Sequence, residues 1–151
     1  MQRDGRLSRM LHVLIHMDRM EGPVTSDAVA KMLGTNPVVV RRTMAGLRDA
    51  GYVRSEKGHG GGWTLERPLG AITMLDIHRA VGEPGIFAIG PATDAPECLV
   101  EQAVNASMAD AFRTAEALLM ETLGRVTLAE IAADFDTRFR ALAPDGICAR
   151  G

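Results

Sequence analysis

A glycine-rich segment separates two short strand-like runs in the first half of the chain. The runs are Tyr52 to Glu56 and Gly62 to Leu65, and the residues between them are Lys57-Gly58-His59-Gly60-Gly61. Because glycine adopts unusual backbone angles without a steric penalty, this composition predicts a tight β-hairpin. A hairpin placed directly after a series of short helices has the position of a wing, so we predict a mainly α chain with a small β-wing.

Three helical segments precede the hairpin. The second begins at Thr25 and stops at Gly34, whose permissive backbone suits a helix end. The third runs from Pro37 to about Ala50, with Asn36 as its N-cap. The first is amphipathic, with apolar residues at helical spacing: Leu7, Leu11, Leu14 and Ile15.

Further helices are predicted on both sides of a connecting segment. A short fourth helix covers residues 73–81, bounded by Gly82-Glu83-Pro84. The segment 85–98 contains turn residues and few periodic apolar ones, which indicates a strand fragment or a loop. The last helix opens at a capping box, Thr127 to Glu130, and continues to about Phe139.

A long helix is predicted between the connecting segment and the last helix, from about Glu97 to Leu123, with Gly124 ending it. Its apolar residues recur at alternating spacings of four and three, the period of a coiled-coil seam. Such a wide stripe needs an apolar partner, and the simplest partner is a second copy of the chain. The predicted dimer interface comprises Val104, Met108, Ala111, Phe112, Ala115, Leu118 and Leu119.

Charge is distributed unevenly along the chain. Residues 1–70 hold 11 Lys and Arg against 7 Asp and Glu, whereas residues 71–151 hold 6 against 12. The front half is therefore basic (+4) and the rear half acidic (−6). This asymmetry favours contact between the front half and a polyanion.

The order of the predicted elements is that of a winged helix-turn-helix: two helices joined at Gly34, of which the latter is basic, and then a glycine-rich hairpin. This order predicts binding to double-stranded DNA. The third helix would enter the major groove, where Arg41 or Arg42 can bind guanine and Val38 a thymine methyl group. The wing would follow the backbone towards the minor groove. The remaining predicted DNA contacts are Ser26, Thr35 and Asn36 to phosphates and Lys57, His59 and Gly60 from the wing.

Other interpretations remain open for these residues. Arg42 and Arg48 could instead form a solvated face that pairs with Asp49 or Glu66. A winged helix can also bind protein, which would make the chain an interaction adaptor. No nucleophile elbow, phosphate-binding loop or paired metal motif is present, so we do not expect an enzyme; a thiol-dependent one is the remote alternative.

The motifs also resemble those of a known family. The segments Asn36-Pro37-Val38-Val39-Val40-Arg41-Arg42, Leu47 to Val53 and Gly58 to Trp63, together with Leu7 to Ile15, resemble the Rrf-two family of IscR-like bacterial regulators. The resemblance extends from about Gly5 to Phe139. It implies a homodimer that binds a dyad-related operator, with repression more common than activation.

Cysteine content departs from the family pattern. Many members carry three cysteines before the dimerisation helix and hold an iron-sulfur cluster there, but this chain has only Cys98 in that stretch. Because a cluster normally needs four protein ligands, we expect none, as in the YwnA-like and CymR-like members. Cys98 stays a candidate redox sensor, beside the alternative of inert packing. Cys148 is interpreted as a thiol in the tail, and a metal role for His12 and His16 is not expected because no third ligand is evident.

The predicted domain organisation follows from these elements. Residues 1–84 form the winged helix-turn-helix, 85–98 a linker or sensor loop, 99–142 the dimerisation helices and 143–151 a flexible tail. The N-terminal segment has no continuous apolar run, which indicates a cytoplasmic protein without a membrane anchor. An unknown small molecule or a redox change is the expected effector, and the signal, the operator and the regulated genes are not encoded in any motif.

Overall fold

A computed structural model describes residues 3–142 of the chain. The predicted tail at residues 143–151, with Cys148, lies outside the described residues. The elements in chain order are α1 (Arg6–Arg19), α2 (Ser26–Leu33), α3 (Pro37–Asp49), β1 (Val53–Glu56), β2 (Gly62–Leu65), a 3-10 turn (Leu69–Ala71), α4 (Met74–Ala80), α5 (Leu99–Arg125) and α6 (Leu128–Leu142). The predicted fold class, mainly α with a small β-wing, is confirmed.

Local chemistry sets the helix boundaries in the front half. Thr25 caps α2 by accepting a hydrogen bond from the Ala28 N–H at 3.1 Å. Gly34 ends α2 in the left-handed region, at φ 62° and ψ 40°. This left-handed residue turns the chain sharply into α3, as the helix-turn-helix prediction requires.

The wing is an antiparallel hairpin that is attached to the helices by its second strand. β1 and β2 pair in a register that runs from Val53 opposite Leu65 to Glu56 opposite Gly62. Val24 and Trp63 exchange backbone hydrogen bonds of 2.9 and 2.8 Å, which extends the pairing to the segment before α2. Gly62 lies so close to this segment that a Cβ atom there would be 2.6 Å from the Val24 carbonyl oxygen. The close approach requires glycine at this position.

One hydrophobic core joins α1–α4, the wing and α6, whereas α5 contributes no buried residue to it. It contains Val13 and Leu14 of α1, the predicted α3 stripe, Ile77 of α4 and Leu128 of α6. At Gly46 of α3, a Cβ atom would lie 2.6 Å from the carbonyl oxygen of Ala80, so α3 and α4 pack almost backbone to backbone. The buried α3 stripe is Val40, Met44 and Leu47, as predicted.

The prediction that Gly124 ends the long helix was wrong, because α5 continues to Arg125. Gly124 serves packing instead: a Cβ atom there would lie 3.3 Å from Leu75 Cδ2 of α4. Beyond α5, the Met74 N–H donates to the Val126 carbonyl and the Leu128 N–H to the Ile72 carbonyl, both at 2.9 Å. These bonds tie the α5–α6 junction to the winged helix.

The remaining elements follow the predictions closely. The capping box of α6 is present, since Glu130 accepts from the Thr127 N–H at 2.6 Å and donates its own N–H to Thr127 Oγ1 at 3.3 Å. The segment 85–98 forms neither helix nor strand, which decides for a loop over a strand fragment. None of the helices within residues 3–142 is both long enough and apolar enough to cross a bilayer.

Candidate nucleic-acid interface

The N-terminal end of α3 is exposed and firmly capped. The Asn36 side chain accepts a hydrogen bond from the Val38 N–H at 2.8 Å, and Pro37 occupies the first turn. Pro37 has no N–H to leave unpaired, and its fixed φ angle suits the helix start. The first turn is therefore preorganised, and its free N–H groups favour a negatively charged group such as a phosphate.

The outer face of α3 is apolar at its start and basic in its middle. Val38 is 57% exposed, and Arg41 and Arg42 are both exposed. Neither arginine forms an ion pair with a residue in the range 3–142, whereas Arg48 pairs with Asp49 at 3.1 Å. The alternative of a self-paired face thus applies to Arg48, and the guanidinium groups of Arg41 and Arg42 are available to a ligand.

The tip of the wing is an exposed turn that contains glycines in the left-handed region. Lys57, His59 and Gly60 are all exposed, and Gly60 has a φ angle of 76° that favours glycine. Lower on the wing, Arg54 forms ion pairs with Glu56 at 3.1 Å and Glu66 at 3.3 Å. The carboxylates offset the charge of Arg54, so Lys57 supplies the available positive charge of the wing tip.

Ser26 and Thr35 occupy less accessible positions than the other predicted contacts. Both are half-buried, and Ser26 Oγ accepts a hydrogen bond of 3.0 Å from the Trp63 indole N–H. Trp63 itself is buried. Ser26 therefore anchors the wing to the first turn of α2, while its hydroxyl hydrogen is left for another acceptor.

Arg9 of α1 is a candidate contact that the sequence analysis did not identify. It is exposed and lines a small cleft beside α3, together with Thr35, Val39 and Thr43. Arg9 forms no ion pair within the described part of the chain. Its position in a basic front half was a signal, but only the cleft that Arg9 shares with residues of α3 shows that it borders this face.

The apolar stripe of α5 is largely uncovered. No residue of α5 is buried, and Leu118 is 65% exposed. We define the α5 seam as the residues at coiled-coil spacing, of which Met108 is half-buried and the others are exposed: Val104, Met108, Ala111, Ala115, Leu118 and Thr122.

Two residues of the predicted dimer interface turn partly towards their own chain. The Phe112 ring stacks on Phe87 with centroids 5.1 Å apart. Leu119 lies beside Leu123 in a cleft under the start of the connecting segment. Both side chains are half-buried without any partner chain, so they lie at the margin of the exposed stripe.

The donor set of residues 3–142 does not match an iron-sulfur cluster. Cys98 is exposed at the N-cap of α5, where the N–H groups of Glu101 and Val100 lower the pKa of its thiol. Residues 3–142 contain no group of three His, Cys, Asp or Glu side chains placed to hold a metal ion. The rings of His12 and His16 lie 4.7 Å apart, but two nitrogens fall short of a metal site.

Comparison with known proteins gives consistent results. The family model described as "Rrf2: Iron-dependent Transcriptional regulator" matches residues 4–134. YwnA of Bacillus subtilis (strain 168), named as an HTH-type transcriptional regulator, is 26% identical over 129 residues, which span 85% of this chain and 95% of YwnA.

Solved structures of other proteins share the fold. A transcriptional regulator from Lactobacillus plantarum superimposes with a TM-score of 0.74 at 22% identity, covering 91% of this chain and 94% of the other. IscR from T. potens gives a TM-score of 0.67 at 20% identity, covering 97% and 94%. The fold is thus that of winged-helix transcriptional regulators, which confirms the resemblance found in the sequence. Since the matching model spans most of its length, the chain belongs to the Rrf2 family of transcriptional regulators.

Proposed function

We propose that this regulator binds a dyad-related DNA operator as a homodimer and represses transcription from it. The observation that carries the proposal is the outer face of α3, where Arg41 and Arg42 have no ion-pair partner within residues 3–142 and stand beside an exposed Val38. Repression is included because it is the more common activity implied by the family resemblance.

Each side chain has a distinct proposed role. Arg41 and Arg42 read guanine edges in the major groove, since a guanidinium can donate two parallel hydrogen bonds to one guanine. Val38 packs against a thymine methyl group. The phosphate contacts are Ser26, Thr35, Asn36 and Arg9, and the wing contacts are Lys57, His59 and Gly60.

The homodimer is proposed to form through the α5 seam. An exposed apolar stripe along a 27-residue helix is unfavourable in water, and a symmetry copy supplies a matching stripe. Pairing the two α5 helices would hold two recognition helices at a fixed separation. The proposed domain boundaries assign residues 1–84 to DNA binding, 85–98 to a linker or sensor loop and 99–142 to the dimer. Within the last range the seam lies on α5, whereas α6 packs against the winged helix through Leu128 and Ala132.

We further propose that no iron-sulfur cluster is bound and that Cys98 is the candidate site of redox control. In a homodimer the two copies of Cys98 supply two thiolates, fewer than the four ligands that a cluster normally requires. The thiol is exposed and its lowered pKa favours the reactive thiolate.

A salt titration of duplex binding tests the proposed interface. The affinity of the full chain for a fluorescent 40-base-pair duplex of mixed sequence should fall linearly on a log-log plot against salt concentration. Lys57→Ala and Arg9→Ala each remove a proposed backbone contact and should flatten the slope by about 0.9, which corresponds to one phosphate contact. Arg113→Ala is the matched control, because Arg113 is exposed on α5 and pairs with Asp110.

The outcomes separate the two classes of function. A salt-dependent affinity that the Arg9 and Lys57 variants weaken, and that Arg113→Ala leaves unchanged, supports DNA binding. A wild-type chain that does not bind duplex DNA at low salt would contradict the proposal and favour the protein-interaction adaptor.

A further inference from the structure

A cleft of about 770 Å³ lies between the DNA-binding unit and the long helix. Its walls come from the N-terminal end of α1, from α4, from the start of the connecting segment and from the C-terminal half of α5. We call it the α5 cleft and define it by His78, Leu7, Ile86, Phe87, Leu119 and Leu123, with Arg3 at its rim. Its volume is within the range of small-molecule sites.

His78 gives this cleft a polar group that is not satisfied by the protein. It is the only polar or charged residue among residues 3–142 that is buried, at 6% exposure. Its backbone carbonyl accepts a hydrogen bond from the Glu83 N–H, but its ring lines the cleft and has no hydrogen-bond partner in the described part of the chain. Within residues 3–142, Thr64 Oγ1 is the one fully buried side-chain polar atom without a partner, so the unbonded nitrogens of the His78 ring reach the solvent of the cleft. A ligand atom in the cleft would replace water as the hydrogen-bond partner of this ring.

The rim of the cleft has an excess of positive charge. Asp4 also lines the rim, but the Arg6 guanidinium binds its carboxylate at 2.6 Å and lowers the pKa of Asp4 to about 2. The charges of Asp4 and Arg6 offset each other. Arg3 forms no ion pair with any residue in the range 3–142, so its charge is available to an anion.

The inner walls are apolar and partly aromatic. Phe87 is held in place by stacking on Phe112, with the two rings inclined by 25°. Leu119 and Leu123 of α5 lie one turn apart on the other wall. A flat, apolar body is therefore the shape that these walls accommodate.

We propose that the α5 cleft binds a small aromatic carboxylate that carries a second polar group. The ring lies against Phe87 and Leu119, the carboxylate binds Arg3 and the second polar group, a hydroxyl or carbonyl, binds the ring of His78. The ligand would contact α1 and α4 on one side and α5 on the other. Because α5 carries the dimer seam, such a bridge biases the angle between the recognition helices and changes operator affinity.

The regulatory part of this inference rests on the proposed function, whereas the binding part does not. Binding is therefore measured first on the full chain without DNA, by calorimetry and by NMR. The probes are 4-hydroxyphenylacetate, phenylacetate without the hydroxyl, and tyrosol, in which an alcohol replaces the carboxylate.

Variants connect each polar group of the probe to one side chain. Arg3→Ala should weaken the binding of 4-hydroxyphenylacetate by about tenfold, since a charge-assisted hydrogen bond is lost, and should leave the binding of tyrosol unchanged. His78→Leu should weaken the binding of 4-hydroxyphenylacetate but not the binding of phenylacetate. Arg113→Ala, on the exposed side of α5, is the control and should bind all three as the wild type does. If His78→Leu does not fold, the exposed Arg3 still provides the test.

Saturable binding, with NMR shifts at His78, Phe87 and Leu119 and the stated variant pattern, supports the site. The inference is overturned if 4-hydroxyphenylacetate does not saturate the wild type, if Arg3→Ala binds it equally well, or if the shifts lie instead in the separate groove near Phe135. A probe that binds but leaves the affinity for duplex DNA unchanged refutes the regulatory part alone. A chain that binds the probe but no DNA refutes the proposed function and leaves the site standing.

Discussion

Replacing Leu118 with glutamate should dissociate the proposed dimer without unfolding the chain. Burying a whole leucine side chain contributes about 1.5 to 3 kcal/mol, so the 65% of Leu118 still exposed represents roughly 1 to 2 kcal/mol in each copy. The symmetry of the dimer doubles this to roughly 2 to 4 kcal/mol. Burying two carboxylates against each other adds a desolvation cost of several kcal/mol. The dimer dissociation constant should therefore rise by at least about a thousandfold.

Sedimentation and light scattering across micromolar concentrations measure this change. Ala117→Glu is the matched control, because it places the same charge one residue away at an exposed position outside the seam. Circular dichroism should show both variants folded, since neither position belongs to the core. The reasoning would be refuted by a Leu118→Glu protein that stays dimeric, by equal dissociation of Ala117→Glu, or by a monomeric wild type.

Three further predictions concern the wing, the thiol and the cofactor. Gly62→Ala should destabilise the fold by about 1 to 3 kcal/mol and weaken DNA binding, because the added Cβ would collide with the Val24 carbonyl. Gly90→Ala is the control and should leave the stability unchanged, since there is open space around Gly90; thermal unfolding compares the two variants. In a Cys148→Ala background, the rate of Cys98 alkylation should reach half its maximum below about pH 8.5, the value usual for a free thiol, because two backbone N–H groups of α5 stabilise the thiolate. A half-maximal rate at or above that pH would argue against an activated Cys98 thiol. Anaerobically purified protein should lack stoichiometric iron and acid-labile sulfide, and a visible absorption band with one iron or more per chain would contradict the ligand count.

Features that depend on neighbouring residues in the sequence were predictable. Asn36 and Pro37 start α3 through local hydrogen bonding and a fixed φ angle, and Gly34 stops α2 through its left-handed backbone. The glycine-rich hairpin likewise follows from the conformational freedom of its own residues. The positions of these elements could therefore be derived without knowledge of the tertiary packing.

Features that depend on contacts between distant segments were not predictable. Gly124 has the residue type of a helix stop, yet it lies within α5, where Leu75 of α4 approaches it so closely that a Cβ atom would lie 3.3 Å away. The hydrogen bond from Trp63 to Ser26 joins residues of two separate elements.

The periodicity of α5 placed Phe112 on the seam, but it could not show that Phe87 would cover part of its ring. The burial of His78 likewise depends on the packing of α4, the connecting segment and α5 together. A periodic pattern identifies an apolar face without identifying which segment covers it.

Selection of bound sequences from a random duplex library tests the central claim most directly. A homodimer reading DNA through α3 should enrich a dyad motif whose half-site centres lie one helical turn, about 34 Å, apart. Arg41→Ala should relax the base preference at one symmetric pair of positions and weaken binding to the enriched site by about 1 to 3 kcal/mol. Enrichment of no dyad motif by the wild type, or an unchanged motif and affinity with Arg41→Ala, would contradict the assignment of α3 as the recognition helix.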